Sequence, residues 1–218
     1  GANAGDDKKK AAYYAGIQIG QQISNQMVMG INHEVFGDDS TKTISLKNFM
    51  AGFVSGVTGK KGLMTVEEAG IMAQTKMQQI KSKTMETKYG DNKKKGEDFM
   101  AANKKKDGVK TLPSGVQYKV IKEGKGAIPA DTSMVSCHYE GRTIDGKVFD
   151  SSYKRNQPLK LRCNQTIKGW TDAMVHMPVG SVWEVYIPQE LAYGEREQGD
   201  IKPFSVLIFK IELLGIEK

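Results

Sequence analysis

Near Lys110 the hydrophobic period of this 218-residue chain changes, and the change divides it into two kinds of structure. Before that point apolar residues recur at intervals of three and four, the spacing of one helix face; after it they alternate, the spacing of a half-buried strand. Residues 10–29 carry Tyr13, Ile17, Ile19, Ile23 and Met27 among Gln18, Gln21, Gln22 and Gln26, which predicts a first helix. Gly16 and Gly20 stand four apart on one face of it. Glycine inside a helix costs up to ~1 kcal/mol, so this spacing predicts another backbone crossing closely there. After a Gly-, Asp- and Ser-rich loop at residues 37–40, a second helix carries Leu46, Phe49, Met50, Phe53, Val54 and Val57 and stops between Gly56 and Gly59. Two short amphipathic helices bury little surface by themselves. They are expected to pack against a second copy of the chain, as a homodimer.

A third helix is announced by Thr65-Val66-Glu67-Glu68, a capping box in which threonine and glutamate satisfy the orphan donors of a helix start. Its apolar residues, Ile71, Met72, Met77, Ile80 and Met85, are too thinly spread to form a stripe, so it is expected to stand largely in solvent. Extending to about Asn103, it would be roughly 55–60 Å long at 1.5 Å per residue, with Tyr89, Gly90, Asp91 and Gly96 as places to bend. Most of the formal charge of +7 sits here: residues 76–110 hold eleven lysines against five acids, a difference of six. That is the composition of a solvated helix surface. No arginine lies in the segment, and no nucleic-acid partner is expected.

Beyond Lys110, residues 116–121, 134–139, 183–187 and 206–214 read as strands, with turns at 122–124, 145–146 and 178–180 and a short helix over 171–176. This is an antiparallel sheet with one helix folded across it. Cys137 and Cys163 fall in apolar strand patterns without metal-type spacing and read as buried free thiols. His33, His138 and His176 are scattered, so neither a metal site nor a catalytic triad is expected. The polar opening at residues 1–10 reads as the tether of an exported protein.

Several motifs occur in a telling order: Ser-Gly-Val-Gln-Tyr (114–118), His-Tyr-Glu-Gly (138–141), Asp-Gly-Lys-Val-Phe-Asp-Ser-Ser (145–152), Ile-Lys-Gly-Trp (167–170), Met-Pro-Val-Gly (177–180), Leu-Ala-Tyr-Gly (191–194) and Phe-Lys-Ile-Glu-Leu-Leu (209–214). The C-terminal half resembles the FK506-binding-protein (FKBP) family of peptidyl-prolyl cis-trans isomerases. Residues 14–22 resemble, more weakly, the dimerisation arm of its macrophage infectivity potentiator branch. The resemblance implies an α+β chain: an all-helical dimerisation arm at 1–64, a long linker helix at 65–110 and, at 111–218, an antiparallel sheet wrapped on a short helix.

It also implies an enzyme that accelerates X-Pro isomerisation in protein folding, with chaperone activity as a dimer; the alternative is a non-catalytic chaperone or adaptor that docks proline-containing segments. Trp170 would form the floor under the proline ring, with Tyr139, Phe149 and Phe209 as walls. The Ile167 N–H and the Tyr193 hydroxyl would hold the flanking carbonyls, Ile201 would complete the lining, and Asp150 would pair with Tyr139 and Arg155. The sequence departs from the family with Leu159 in place of an aromatic wall, Thr166 for valine, and Lys202 for a first proline. No cofactor or metal is implied. The partners implied are proline-containing polypeptides, a second copy of the chain, macrolides of the FK506 or rapamycin type, and a membrane tether through a leader outside these residues. The corresponding location is periplasmic or on the outer membrane as a lipoprotein, with the cytoplasm as the alternative.

Overall fold

The computed structural model describes residues 2–217, which form two compact units that divide between Lys88 and Tyr89. The chain is of the α+β class, helical first and then built on an antiparallel sheet.

In the first unit, α1 (Ala2–Gln22) continues through a π-helical turn, Ile23–Val28, into α2 (Met29–Phe36). Helix therefore begins eight residues before the apolar pattern does, since residues 2–9 need no buried face to take helical backbone. Beyond the adjoining residues and the helix's own backbone, no described atom lies within 4 Å of where a Cβ would stand at Gly16 or Gly20, so the close crossing expected there is not made among the described residues. The Asn32 side chain draws the following loop back onto α2, donating to Thr43 Oγ1 at 3.1 Å and accepting the Ile44 N–H at 2.7 Å. Ser45 caps α3 (Leu46–Thr58) by accepting the Asn48 N–H, and Gly59, at φ 70°, ends it. Thr65 likewise caps α4 (Val66–Met72) through the Glu68 N–H at 3.1 Å. The Glu68 carboxylate, however, accepts from the Thr65 hydroxyl at 3.2 Å and not from its backbone, so only half of the expected box forms. A second π-helical turn, Ala73–Met77, leads into α5 (Gln78–Asn103). Tyr89 leaves the helical region, with φ −114° and ψ 17°, and kinks this helix at the first of the positions expected to bend.

From Tyr89 onward α5 belongs to the second unit, and there it is not free in solvent. Gly96 and Asn103 are buried. The Phe99 and Tyr186 rings lie 6.1 Å apart. Asn103 donates to the Gln117 side-chain oxygen at 2.9 Å, and the Gln117 amide donates to the Met100 carbonyl at 2.9 Å. Two buried polar side chains thus satisfy each other where the sequence offers lysines on either side.

The sheet has seven strands: β1 (Val109–Thr111), β2 (Gln117–Lys122), β3 (Met134–Thr143), β4 (Val148–Ser151), β5 (Leu159–Arg162), β6 (Val182–Ile187) and β7 (Leu207–Ile216). Their order is β1-β2-β6-β7-β3-β4, with every pairing antiparallel. β4 and β5 share the outer edge of β3, separated by the single turn of α6 (Ser152–Arg155). The strands that periodicity missed, β1, β4 and β5, have only three or four residues each. α7 (Lys168–Met174) starts three residues before its expected position because Ile167, at ψ 147°, takes the cap. Trp170, Ala173 and Met174 of α7 pack with Val135, Cys137, Val185, Ile187, Ile211 and Leu213 in one core. No helix among the described residues is long and apolar enough to cross a membrane.

Candidate active site

Strand alternation points Val135, Cys137, Tyr139 and Gly141 of β3 toward the core, and Leu207, Phe209, Ile211 and Leu213 of β7 with them. Register then sets Gly141 beside Phe209 on one side and Asp150 on the other. Trp170 comes up from α7 to meet these strands. Its ring stands 5.2 Å from Tyr139 at 78° and 5.2 Å from Phe209 at 87°, and Phe149 meets Phe209 at 5.6 Å and 86°. These are edge-to-face contacts, the arrangement that ring quadrupoles favour. Gly141 makes the group possible: a Cβ there would lie 2.6 Å from both Phe149 Cζ and Phe209 Cε1. Gly169 does the same service behind Trp170, where a Cβ would stand 2.3 Å from Ile187 Cγ2.

One edge of the aromatic group is polar. The Asp150 carboxylate accepts from the Tyr139 hydroxyl and from Arg155, and Arg155 Nη2 also donates to the Tyr139 oxygen at 2.8 Å. Burial by itself would push the Asp150 carboxyl up; the hydrogen bonds from Tyr139 and Arg155, with the guanidinium charge, outweigh it and hold the carboxyl below its usual range. Burial pushes the Tyr139 phenol up, and its carboxylate acceptor pushes it further. At neutral pH the edge therefore holds an ionised Asp150 and a neutral Tyr139. Ser152, fully buried, fixes the backbone behind them: its hydroxyl accepts the Tyr139 N–H at 2.7 Å and lies 2.8 Å from His138 Nδ1.

Beside the aromatic group lies an open depression of about 540 Å³ whose lining includes Gln165, Thr166, Ile167, Lys168, Tyr193 and Arg196. Ile167 joins the two features, because its carbonyl accepts the Trp170 N–H at 3.0 Å while its side chain packs on the core. The Ile167 N–H has no acceptor among the described residues. Ile201 is buried in the same core, and Leu159, paired with Cys137 across β5 and β3, packs against it. The structure thus brings Tyr139, Phe149, Asp150, Arg155, Trp170 and Phe209 into one group, sets Thr166, Ile167 and Tyr193 along the depression, and leaves Leu159 and Ile201 in the flanking core. Sequence reasoning passed over the supports of this group, Gly141 and Ser152; both stand inside recognised motifs, but nothing in their spacing announces a steric or hydrogen-bonding duty. Cys137 and Cys163 are buried free thiols. Burial, with Cys163 nearby, pushes the Cys137 thiol up to about 12.

Comparison with known proteins places the chain in a family. Residues 125–214 match the family model described as FKBP-type peptidyl-prolyl cis-trans isomerase, and residues 8–120 match the domain amino terminal to it. The chain is 39% identical over 208 residues to the FKBP-type 22 kDa peptidyl-prolyl cis-trans isomerase of Escherichia coli, covering 95% of this chain and 94% of that one. It is 38% identical to the outer membrane protein MIP of Legionella longbeachae, covering 97% and 87%. The crystal structure of FkpA from Escherichia coli aligns over 97% of both chains with a TM-score of 0.60 at 31% identity.

Proposed function

Because this chain belongs to the FKBP-type peptidyl-prolyl cis-trans isomerase family and is an isomerase of that type, we propose that the edge-to-face group around Trp170 is where it twists the X-Pro bond. Rotation about a peptide bond meets a barrier of roughly 18–20 kcal/mol because resonance makes the C–N bond partly double, and uncatalysed X-Pro exchange takes tens to hundreds of seconds. An apolar, water-poor surface disfavours the planar, dipolar amide relative to the twisted one, and donors aimed at the rotated carbonyl add to the difference.

The observation that carries the assignment is the convergence of four aromatic rings with a donor, the Ile167 N–H, for which the described residues offer no acceptor. In this reading the proline ring lies against Trp170, between Tyr139, Phe149 and Phe209, with Ile201 and Leu159 behind. The Ile167 N–H and the Tyr193 hydroxyl grip the flanking carbonyls, and Thr166 borders the preceding residue. Asp150 stays ionised and acts through the field and position of Tyr139, without proton transfer. Macrolides of the FK506 or rapamycin type would compete for the same surface. The test is NMR exchange of an Ala-Leu-Pro-Phe peptide with the protein and its Trp170→Leu and Tyr193→Phe variants. Acceleration that falls at least tenfold in folded Trp170→Leu is expected; an undiminished rate removes the assignment.

A dimer with chaperone activity is the second part of the proposal, within the organisation 1–64 arm, 65–110 linker and 111–218 catalytic domain. Tyr13, Ile17, Met50, Val54 and Val57 of α1 and α3 are each at least 49% exposed, an apolar surface that a second copy would bury. Sedimentation equilibrium of the whole chain gives twice the monomer mass if this holds, and the monomer mass if it does not. The likeness to an outer membrane protein supports an exported location, periplasmic or anchored to that membrane, which cell fractionation tests.

A further inference from the structure

Residues 201–206 run from Ile201, buried in the core that flanks the aromatic group, into β7, and they do so through a conformation no glycine supports. Phe204 has φ 63°, in the left-handed region that a residue with a Cβ rarely adopts. Such a residue persists only where its surroundings over-determine it, and here they do so from two directions. The Phe204 N–H donates to the Gly194 carbonyl at 2.7 Å, which ties the turn to the residue following Tyr193. On the other side Asn92 of α5 uses its amide nitrogen twice, donating to the Pro203 carbonyl at 2.8 Å and to the Ser205 hydroxyl at 3.1 Å. The Ser205 hydroxyl donates in turn to the Lys202 carbonyl at 2.7 Å. One side chain therefore clamps the residues on both sides of Phe204. One turn further along α5, Gly96 leaves room for Val206, whose Cγ2 would stand 2.9 Å from a Cβ there, and the Lys93 ammonium lies 5.4 Å over the Phe204 ring. Pro203, Phe204, Ser205 and Val206 are all buried, so the clamp is not an accident of a loose surface loop.

We propose that Asn92 is a positioning residue of the isomerase site. By holding Pro203 and Ser205 it fixes the Phe204 turn, and through the Phe204–Gly194 bond it sets Tyr193, together with Ile201, against Trp170 and Phe209. This rests on the reading that the Trp170 group is the catalytic pocket. Asn92 touches no substrate; it acts through the backbone at residues 203–205 and at Gly194, the segments that carry Ile201 and Tyr193.

The test compares Asn92→Ala and Asn92→Asp in the full chain. The aspartate has the same shape but cannot donate to the Pro203 carbonyl, so both variants are expected to lower kcat/KM for the proline peptide about three- to tenfold, the worth of one or two hydrogen bonds. In the same samples the Tyr193, Gly194 and Ile201 amide resonances shift and exchange at the Phe204 N–H quickens, changes that a general loss of stability does not single out. Lys94→Ala, on the exposed side of the same helix, leaves rate and resonances unchanged. If the Asn92 variants do not fold, Ser205→Ala, which removes the second acceptor without altering the helix, carries the same expectation. Wild-type kcat/KM with unmoved Tyr193, Gly194 and Ile201 resonances overturns the proposal. Including Trp170→Leu separates the two readings: a rate lost there but kept in the Asn92 variants overturns this inference alone, and a rate kept in Trp170→Leu overturns the pocket assignment beneath it.

Discussion

Replacing Gly141 by alanine would place a methyl carbon 2.6 Å from both Phe149 Cζ and Phe209 Cε1 and 2.7 Å from Phe149 Cε2. Non-bonded carbons rest at roughly 3.5–4.0 Å, so a ring must retreat by about 1 Å. The two rings meet edge to face at 5.6 Å, and neither moves without disturbing that contact. Phe209 lies in β7, hydrogen-bonded to β3 on one side and β6 on the other, whereas Phe149 is half-buried on β4 at the sheet's margin. Phe149 is therefore the ring that swings out. Overpacking of this kind costs about 1–3 kcal/mol, which lowers Tm by several degrees in a protein of this size. The larger effect is on catalysis: with one wall of the pocket displaced, kcat/KM falls at least tenfold, or ~1.4 kcal/mol. NMR exchange of the proline peptide measures the rate, and thermal unfolding followed by circular dichroism measures the stability. The double variant Gly141→Ala with Phe149→Leu regains much of the stability by making room, but not the rate, a non-additivity expected of residues in contact. A Gly141→Ala protein with wild-type kcat/KM and an unchanged Tm would refute the steric argument.

The Asp150 carboxyl is held below its unfolded value, so its pairing stabilises the fold above about pH 4 and that contribution is lost as pH falls through the folded value. Arg155→Leu raises the carboxyl's pKa and should move the acid unfolding midpoint upward; an unmoved midpoint in an acid titration contradicts this. Isomerase activity between pH 6 and 8 should be flat with respect to Asp150, because the group stays ionised throughout; a rate that titrates there and loses its pH dependence in Asp150→Asn would show otherwise. Cys137, with its thiol pushed up to about 12 and fully buried, should resist a disulfide reagent in the native protein and react only at the rate of unfolding. Rapid native labelling of Cys137 would disprove its burial.

The catalytic half was legible from sequence because its signals are local: alternation marks β2, β3, β6 and β7, and the motifs at 138–141, 145–152 and 167–170 bring in Tyr139, Asp150 and Trp170 together. What was not legible is contact made across the chain. The stretch from Asn92 to Asn103 reads as a lysine-rich solvated helix, yet Gly96, Phe99, Met100 and Asn103 recur at steps of three, one and three and form a narrow face. Two of those four are a glycine and an asparagine, which no hydrophobicity count registers; their role appears only when Val206 and Gln117 are set against them. Ser152 is hidden for a similar reason, since a serine in a turn looks like any other until its hydroxyl is found beneath the Tyr139 amide. The short strands β4 and β5 were invisible because four residues cannot display a period.

β7 is the last of the seven strands in chain order, yet it lies between β6 and β3 near the middle of the sheet. A ribosome delivers Tyr139, Phe149 and Trp170 well before Phe209, and until Phe209 arrives the other rings have no common partner. If the rings around Trp170 form the pocket, as proposed, the molecule has none for most of its synthesis, and its own X-Pro bonds, from Pro113 to Pro203, must find their isomers without help from the chain that contains them. On that reading catalysis begins abruptly, with the insertion of one strand, so any fragment that stops before residue 207 should be inert however well its helices form.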